Sequence, residues 1–290
     1  MPRFGAHLSI AGGVDQAALL ARELRADTLQ LFVKSPSQWR LAALTDDAVA
    51  RFRDEARRAR LEPLVGHASY LVNLASPDPA LHEKSRRCVL EEWDRAERLG
   101  LDYLVLHPGA HVGSGEAAGL EQIARALRRL RRERPARTAM ILLETTAGAG
   151  TVMGGRFEHL QQLTAACDPP GRRAPWLGVC IDTCHLWAAG YDLRTAQAID
   201  DTLGRLDEAV GLERVKVVHV NDARGGLGSH LDRHEHIGRG QLGKEAFRLL
   251  IHHPALAARP FILETPKEDA RGRPMDPVNL RTLRRLARAP

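Results

Sequence analysis

No disulfide framework can be drawn from this sequence, because its four cysteines, Cys88, Cys167, Cys180 and Cys184, are sparse and form no CxxC pair. That usage fits a reducing compartment better than a secreted protein. Cys180 and Cys184 lie close together and read as small buried hydrophobes rather than ligands. No apolar run approaches the roughly 20 residues that span a bilayer. The N-terminal MPRFGAHLSIAGG also lacks the basic region and continuous apolar stretch of a signal peptide. The expectation is a soluble, cytoplasmic protein. Lysine is scarce as well: only five of the 42 basic residues are Lys, and with 36 acidic residues the net charge is +6. Codon bias accounts for so much arginine as well as attraction to phosphate does, although the guanidinium fork suits phosphate. A pI near 9.5 favours an anionic partner without identifying it.

The chain has 290 residues, 44% of them hydrophobic, enough to bury a core without staples and to exclude disorder as the main state. Short apolar runs alternate with amphipathic stretches from end to end. Strands are predicted at 4–9, 28–33, 63–68, 103–108, 140–145, 177–182, 215–220 and 261–265, with helical patterns such as 79–99 and 116–134 between them. Eight βα repeats in this length match a closed (β/α)8 TIM barrel of class α/β. A doubly wound open sheet is the competitor, disfavoured because no GxGxxG follows the first strand. No linker interrupts the series, so residues 1–290 read as one domain.

Metal-type side chains fall where these strands end. His67, His107, Glu144, Asp182, His219 and Glu264 close the third to eighth strands, and parallel barrel strands open their C-terminal ends onto one mouth. His185 follows Asp182 by three positions, and Asp232 and His234, two apart, share one side of an extended loop. One such residue alone is ordinarily a structural or solvated group. Together they point to a metal site, because structural histidines have no reason to recur at one end of consecutive strands. Five histidines and four carboxylates supply three ions at about three ligands each. Three Zn²⁺ against four carboxylates leave the mouth positive, which suits a phosphodiester better than a neutral sugar. The donor mix selects zinc, with manganese as the alternative at some sites.

At these residues the sequence resembles the endonuclease IV family of apurinic/apyrimidinic (AP) endonucleases. The resemblance is carried by GAHLSIAGG (5–13), HASYLVNLA (67–75), HPGAH (107–111), ETTAGAG (144–150), VCIDTCHLWAAGYD (179–192), HVNDAR (219–224), GSHLDRHEHIG (228–238) and ILET (262–265), in order along nearly the whole chain. It implies a TIM barrel with three zinc ions that cuts double-stranded DNA 5′ of abasic sites, leaves a 3′-hydroxyl and trims blocked 3′ ends. Carried over by motif, His67 and His107 would hold one ion, Asp182, His219 and Glu264 a second, with Glu144 bridging them, and His185, Asp232 and His234 a third. Glu144 would also orient or deprotonate the attacking water.

The resemblance further places DNA contacts at Tyr70, Leu71 and the KSPSQW loop (34–39), where side chains enter the base stack beside the lesion. Packing inside the barrel is the alternative for Tyr70 and Leu71. Family members can carry a basic residue where this chain has Ser37 after Pro36, which leaves Gln38, Trp39 or Arg40 to fill the gap. His111 and His230 are candidate phosphate contacts. A monomer is expected. Two rival readings remain: a sugar isomerase of the xylose-isomerase-like barrels, which leaves His185, Asp232 and His234 without a task, and an inactive nucleic-acid-binding barrel, which has no need of nine ligands.

Overall fold

The computed structural model describes residues 2–40, 42–169 and 175–288. Eight parallel strands close into a barrel: β1 (Arg3–Leu8), β2 (Thr28–Phe32), β3 (Leu64–His67), β4 (Tyr103–Leu106), β5 (Met140–Glu144), β6 (Leu177–Asp182), β7 (Val215–His219) and, last in the chain, β10 (Pro260–Leu263). Each pairs with its sequence neighbour and β10 closes against β1, Gly5 lying opposite Ile262. All eight predicted strands are present. Two end a residue earlier than the positions that would have placed His107 and Glu264 inside them. Pro108 has no N–H to extend the ladder after β4, and the Glu264 N–H is donated to Asn221 Oδ1 at 2.8 Å instead of to a strand. A short hairpin, β8 (Asp222–Ala223) with β9 (His234–Glu235), was not foreseen, because two-residue strands leave no periodic signal.

Helices α1 (Val14–Glu23), α2 (Asp46–Ala59), α3 (Pro79–Leu99), α4 (Glu116–Glu133), α5 (Phe157–Cys167), α6 (Thr183–Ala188), α7 (Ala196–Val210), α8 (Gly243–His252) and α9 (Asp276–Leu286) surround the strands. Local signals set their ends. In α3, Asp78 caps the first turn by accepting from the Ala80 N–H, Pro79 occupies the first helical position, and Gly100 closes the helix in the left-handed conformation at φ 76°. Thr45 and Thr195 cap α2 and α7 in the same way.

The barrel lumen explains how the site is built. Its dry plug consists of Val65, Val105, Leu142, Cys180, Val217 and Ile262, one from each of β3 to β7 and β10. Side chains along a strand alternate between faces. Two residues beyond each plug residue, the same inward face carries His67, His107, Glu144, Asp182, His219 and Glu264. An apolar floor thus lies directly beneath a ring of polar side chains.

Candidate metal centre

All nine sequence-predicted ligands meet at this mouth. Glu144, fully buried, is the hub: its Oε2 lies 3.2 Å from His67 Nε2 and 2.9 Å from His107 Nε2, and its Oε1 lies 2.9 Å from His219 Nδ1 and 3.5 Å from His185 Nδ1. His219 Nδ1 is also 3.1 Å from Glu264 Oε2 and 4.0 Å from Asp182 Oδ2. At the outer edge, Asp232 Oδ1 stands 3.2 Å from His185 Nε2 and 3.4 Å from His234 Nε2. Donor atoms of His67, His107 and Glu144, of Glu144, Asp182, His219 and Glu264, and of His185, Asp232 and His234 each lie close enough together to hold one ion. Asp182, Cys184 and His234 form a fourth such group. Burial pushes the Cys184 thiol up to about 12, which leaves it a poor ligand at neutral pH.

Local structure fixes these positions. Asp182 caps α6, its Oδ1 accepting the His185 N–H at 2.9 Å, so one helical turn carries His185 back over the carboxylate. Its Oδ2 accepts from Asn221 Nδ2 at 2.6 Å. The β8–β9 hairpin brings His234 and the preceding Asp232 across the mouth to His185.

Four imidazoles have their tautomers set from behind. His67 Nδ1 lies 2.7 Å from the Ala68 carbonyl, His185 Nδ1 2.8 Å from the Thr145 carbonyl, and His234 Nδ1 3.1 Å from the Glu264 carbonyl. His219 Nε2 lies 2.7 Å from Gln30 Oε1. These oxygens only accept, so each ring places its N–H there and turns the other nitrogen toward a carboxylate. A lone pair facing a carboxylate is tolerable only if a cation, either a proton or a metal, lies between. His234 Nε2 is buried and has no hydrogen-bond partner. The donor set and this orphaned nitrogen both fit divalent metal.

The protonation tendencies agree. For Glu144, burial favours the neutral acid, but the His107 and His219 charges and hydrogen bonds from His107 and His185 outweigh it and hold the carboxyl well below its usual range. His185 is raised well above the ordinary imidazole value: burial opposes the charge, and Asp182, Asp232 and Glu144 override it. His219 is raised likewise, against burial, with the Glu264 and Glu144 carboxylates beside it. Without metal, protons take the place of cations.

Sequence reasoning missed two members of the ring. His7 and Gln30 occupy the same inward level on β1 and β2, where they pair in register. Gln30 Nε2 donates to Glu264 Oε1 at 2.6 Å while its Oε1 holds His219, so one amide orients two neighbouring groups. His7 Nδ1 is 3.0 Å from Glu264 Oε1, and burial lowers the His7 pKa to about 4 despite that carboxylate. The two-residue step from Gly5 and Thr28 was the available signal, hidden because neither is a large apolar plug residue.

Above the ring lies a pocket of about 430 Å³, whose rim includes Tyr70, Arg224, Arg233 and Pro266. Arg224 and Arg233 were within the motifs but had no role assigned to them. Tyr70 is 67% exposed, its ring edge-on to Phe32 at 5.1 Å; packing inside the barrel, the alternative for this residue, does not describe it. Leu71 beside it is half-buried. In the neighbouring loop Ser37, Gln38 and Arg40 are exposed. Trp39 is not a free tip: it packs against the core, with Lys84 Nζ 4.3 Å from its ring centroid. Both loops rest on a buried pair, Lys34 Nζ and Glu92 Oε1 at 3.5 Å. Lys34 also holds the Gln38 carbonyl, Glu92 accepts the Ser69 N–H at 3.2 Å, and Ser69 Oγ donates to the Pro36 carbonyl at 2.7 Å. His111 Nδ1 accepts the Gly115 N–H within its own loop, and His230 Nδ1 binds the Ala147 carbonyl in the segment after β5, so one nitrogen of each ring is already engaged. Among the described residues, no helix is long and apolar enough to cross a membrane.

The chain matches the xylose isomerase-like TIM barrel family over residues 18–287. It is 48% identical over 288 residues to a probable endonuclease 4 of Chloroflexus aggregans, covering 99% of each chain. It is 46% identical to that of Chloroflexus aurantiacus, covering 99% of this chain and 98% of the relative. The solved endonuclease IV of Thermus thermophilus superposes with a TM-score of 0.85 at 41% identity, covering 98% of both chains. On the ring of ligands, the barrel and these full-length likenesses, the chain belongs to the endonuclease IV family.

Proposed function

We propose that this chain is a DNA-repair phosphodiesterase that hydrolyses the bond 5′ of an abasic site to leave a 3′-hydroxyl and also trims blocked 3′ ends. It acts as a single-domain monomer in the cytoplasm, a compartment that suits its four unpaired cysteines. The observation that carries the reading is the hub at Glu144, where both oxygens of one buried carboxylate face imidazoles from four different segments of the barrel wall.

Three zinc ions fit the donor set, manganese being the substitute: His67 and His107 with Glu144, then Glu144 with Asp182, His219 and Glu264, then His185 with Asp232 and His234. Bound there, zinc would supply Lewis acidity for the phosphate and lower the pKa of water. Glu144, with a depressed pKa and both oxygens engaged, is a poor general base at neutral pH. Its task is to tie the two inner groups together and orient what binds between them. Asp232, half exposed and beside the pocket, is the carboxylate that substrate meets first. Arg224 and Arg233 on the rim present guanidinium groups to the flanking phosphates.

Tyr70, Leu71 and Gln38 form the edge that enters the base stack beside the lesion, where an abasic nucleotide resists extrusion least. Trp39 supports that edge from below by anchoring the loop on α3. A sugar isomerase would leave the outer group, His185 with Asp232 and His234, without work. The test is incubation of purified protein with a duplex carrying one abasic analogue, with and without chelator. Chelator-sensitive nicking on the 5′ side supports the reading; uncut but retarded DNA would favour an inactive binder, and neither effect would favour the isomerase.

A further inference from the structure

Along α2, α4 and α8 several arginines are answered by acids about one turn away: Arg51 by Asp47, Arg57 by Asp54, Arg129 by Glu133 and Arg248 by Glu245. The last helix departs from this. From Pro277 to Arg288 the sequence PVNLRTLRRLAR contains no acid. Arg281, Arg284, Arg285 and Arg288 fall at i, i+3, i+4 and i+7, which is one helical face. Like charges four residues apart oppose each other. The helix dipole offsets this only in the final turn, so it does not account for Arg281.

Folding adds a further arginine to the same place. The turn from α1 into β2 brings Arg25 against the end of α9, where Arg284 holds the Leu24 carbonyl at 3.4 Å and the Arg25 carbonyl as well. A groove of about 550 Å³ results, in which Arg25, Arg281, Arg284, Arg285 and Arg288 face a single acid among the described residues, Glu23. This turn feeds the N-terminal end of β2, whereas the metal-type ring lies at the C-terminal ends of the strands. The groove and the mouth are at opposite ends of the barrel.

We infer that this groove binds the phosphate backbone of a second duplex segment while the mouth holds the first. The inference rests on the DNA reading of the mouth. The groove presents guanidinium forks with no aromatic platform, which suits sequence-independent phosphate contact rather than base recognition. Its three arginines within α9, Arg281 to Arg285, span about 6 Å of helix, close to the roughly 7 Å axial span of three phosphates on one strand, and Arg288 continues the row past the helix end. Duplex DNA is stiff over about 150 base pairs, so a segment crossing the mouth does not curl round to the opposite rim. Two segments held at once would let the protein pass from one to the other without full release.

The test compares the parent with Arg281→Glu/Arg285→Glu and with a control of equal charge change on α4, Arg128→Glu/Arg129→Glu, between β4 and β5 on the far side of the barrel from β10 and β1. Binding to an intact, lesion-free duplex is followed by fluorescence anisotropy across a salt series. Loss of two phosphate contacts lowers the slope of log K against log salt by about 1.8 for the α9 variant. The control changes little, because charges a barrel's width away are screened beyond about 8 Å at physiological ionic strength. In a capture assay, parent protein held on an immobilised abasic-analogue duplex retains a second labelled intact duplex, and the α9 variant does not. Nicking at saturating substrate stays at the parent level in both variants. A slope no different from the control's would overturn the inference, as would equal retention of the second duplex by the α9 variant. Absence of nicking by the parent itself bears on the proposed activity, which the slope does not depend on.

Discussion

Replacing Gln30 by Met tests whether the ring of side chains is a prearranged metal cradle. Gln30 is fully buried; its Oε1 fixes the His219 tautomer from 2.7 Å and its Nε2 donates to Glu264 Oε1 from 2.6 Å. Met fills similar space but offers neither group. The His219 N–H then loses its acceptor inside the protein, a cost of about 1–3 kcal/mol to the metal-free fold. With the tautomer free and Glu264 unrestrained, affinity at the Asp182, His219 and Glu264 position falls about 10–100-fold, the range for partners behind metal ligands. Competition against a graded series of chelators measures this directly, and denaturant unfolding in excess chelator measures the apo cost separately. Gln30→Glu keeps an acceptor for His219 but faces Glu264 with a second carboxylate, so it should recover part of the fold's stability and little of the metal affinity. If Gln30→Met holds its full metal complement against chelators as tightly as the parent, the cradle argument is wrong.

Glu144→Gln removes the charge that four imidazoles share; nicking is expected to vanish while duplex binding persists, and an unchanged cleavage rate in a gel assay would refute the bridging role. Tyr70→Ala, at an exposed rim position, should weaken discrimination between abasic and intact duplex without altering metal content; equal discrimination by competition binding would show that Tyr70 does not enter the stack. The pH response should reverse with metal. His185 and His219 are raised above the unfolded imidazole value of about 6.5, so their stabilisation of metal-free protein is complete below that pH and is lost as pH rises through their folded values. Metal needs neutral imidazole, so loaded protein gains stability over the same rise. Melting curves from pH 6 to 9 should slope in opposite directions with and without chelator, and parallel slopes would contradict the assignment.

Much of the fold was legible because each barrel strand is a short apolar run bounded by turn residues, and the ligands were legible because they follow those runs. The physical rule is sharper than strand ends: Val65 to His67, Leu142 to Glu144 and Val217 to His219 each step by two, from dry floor to polar ring. His7 and Gln30 obey the same step but follow Gly5 and Thr28, which do not look like core residues. Trp39 could not be placed from sequence, because its environment is set by Lys84 on α3, far along the chain. The same limit hid the Lys34–Glu92 pair beneath the DNA-facing loops and the meeting of Arg25 with α9. Contacts within one strand or one helical turn leave a local pattern, whereas these depend on how the barrel closes.

Elemental analysis of the purified protein, paired with an accurate protein concentration, addresses the central claim most directly. The account predicts about three divalent ions per chain, predominantly zinc, at about three protein ligands each. A value of one or none, in protein that folds and binds DNA, would contradict it.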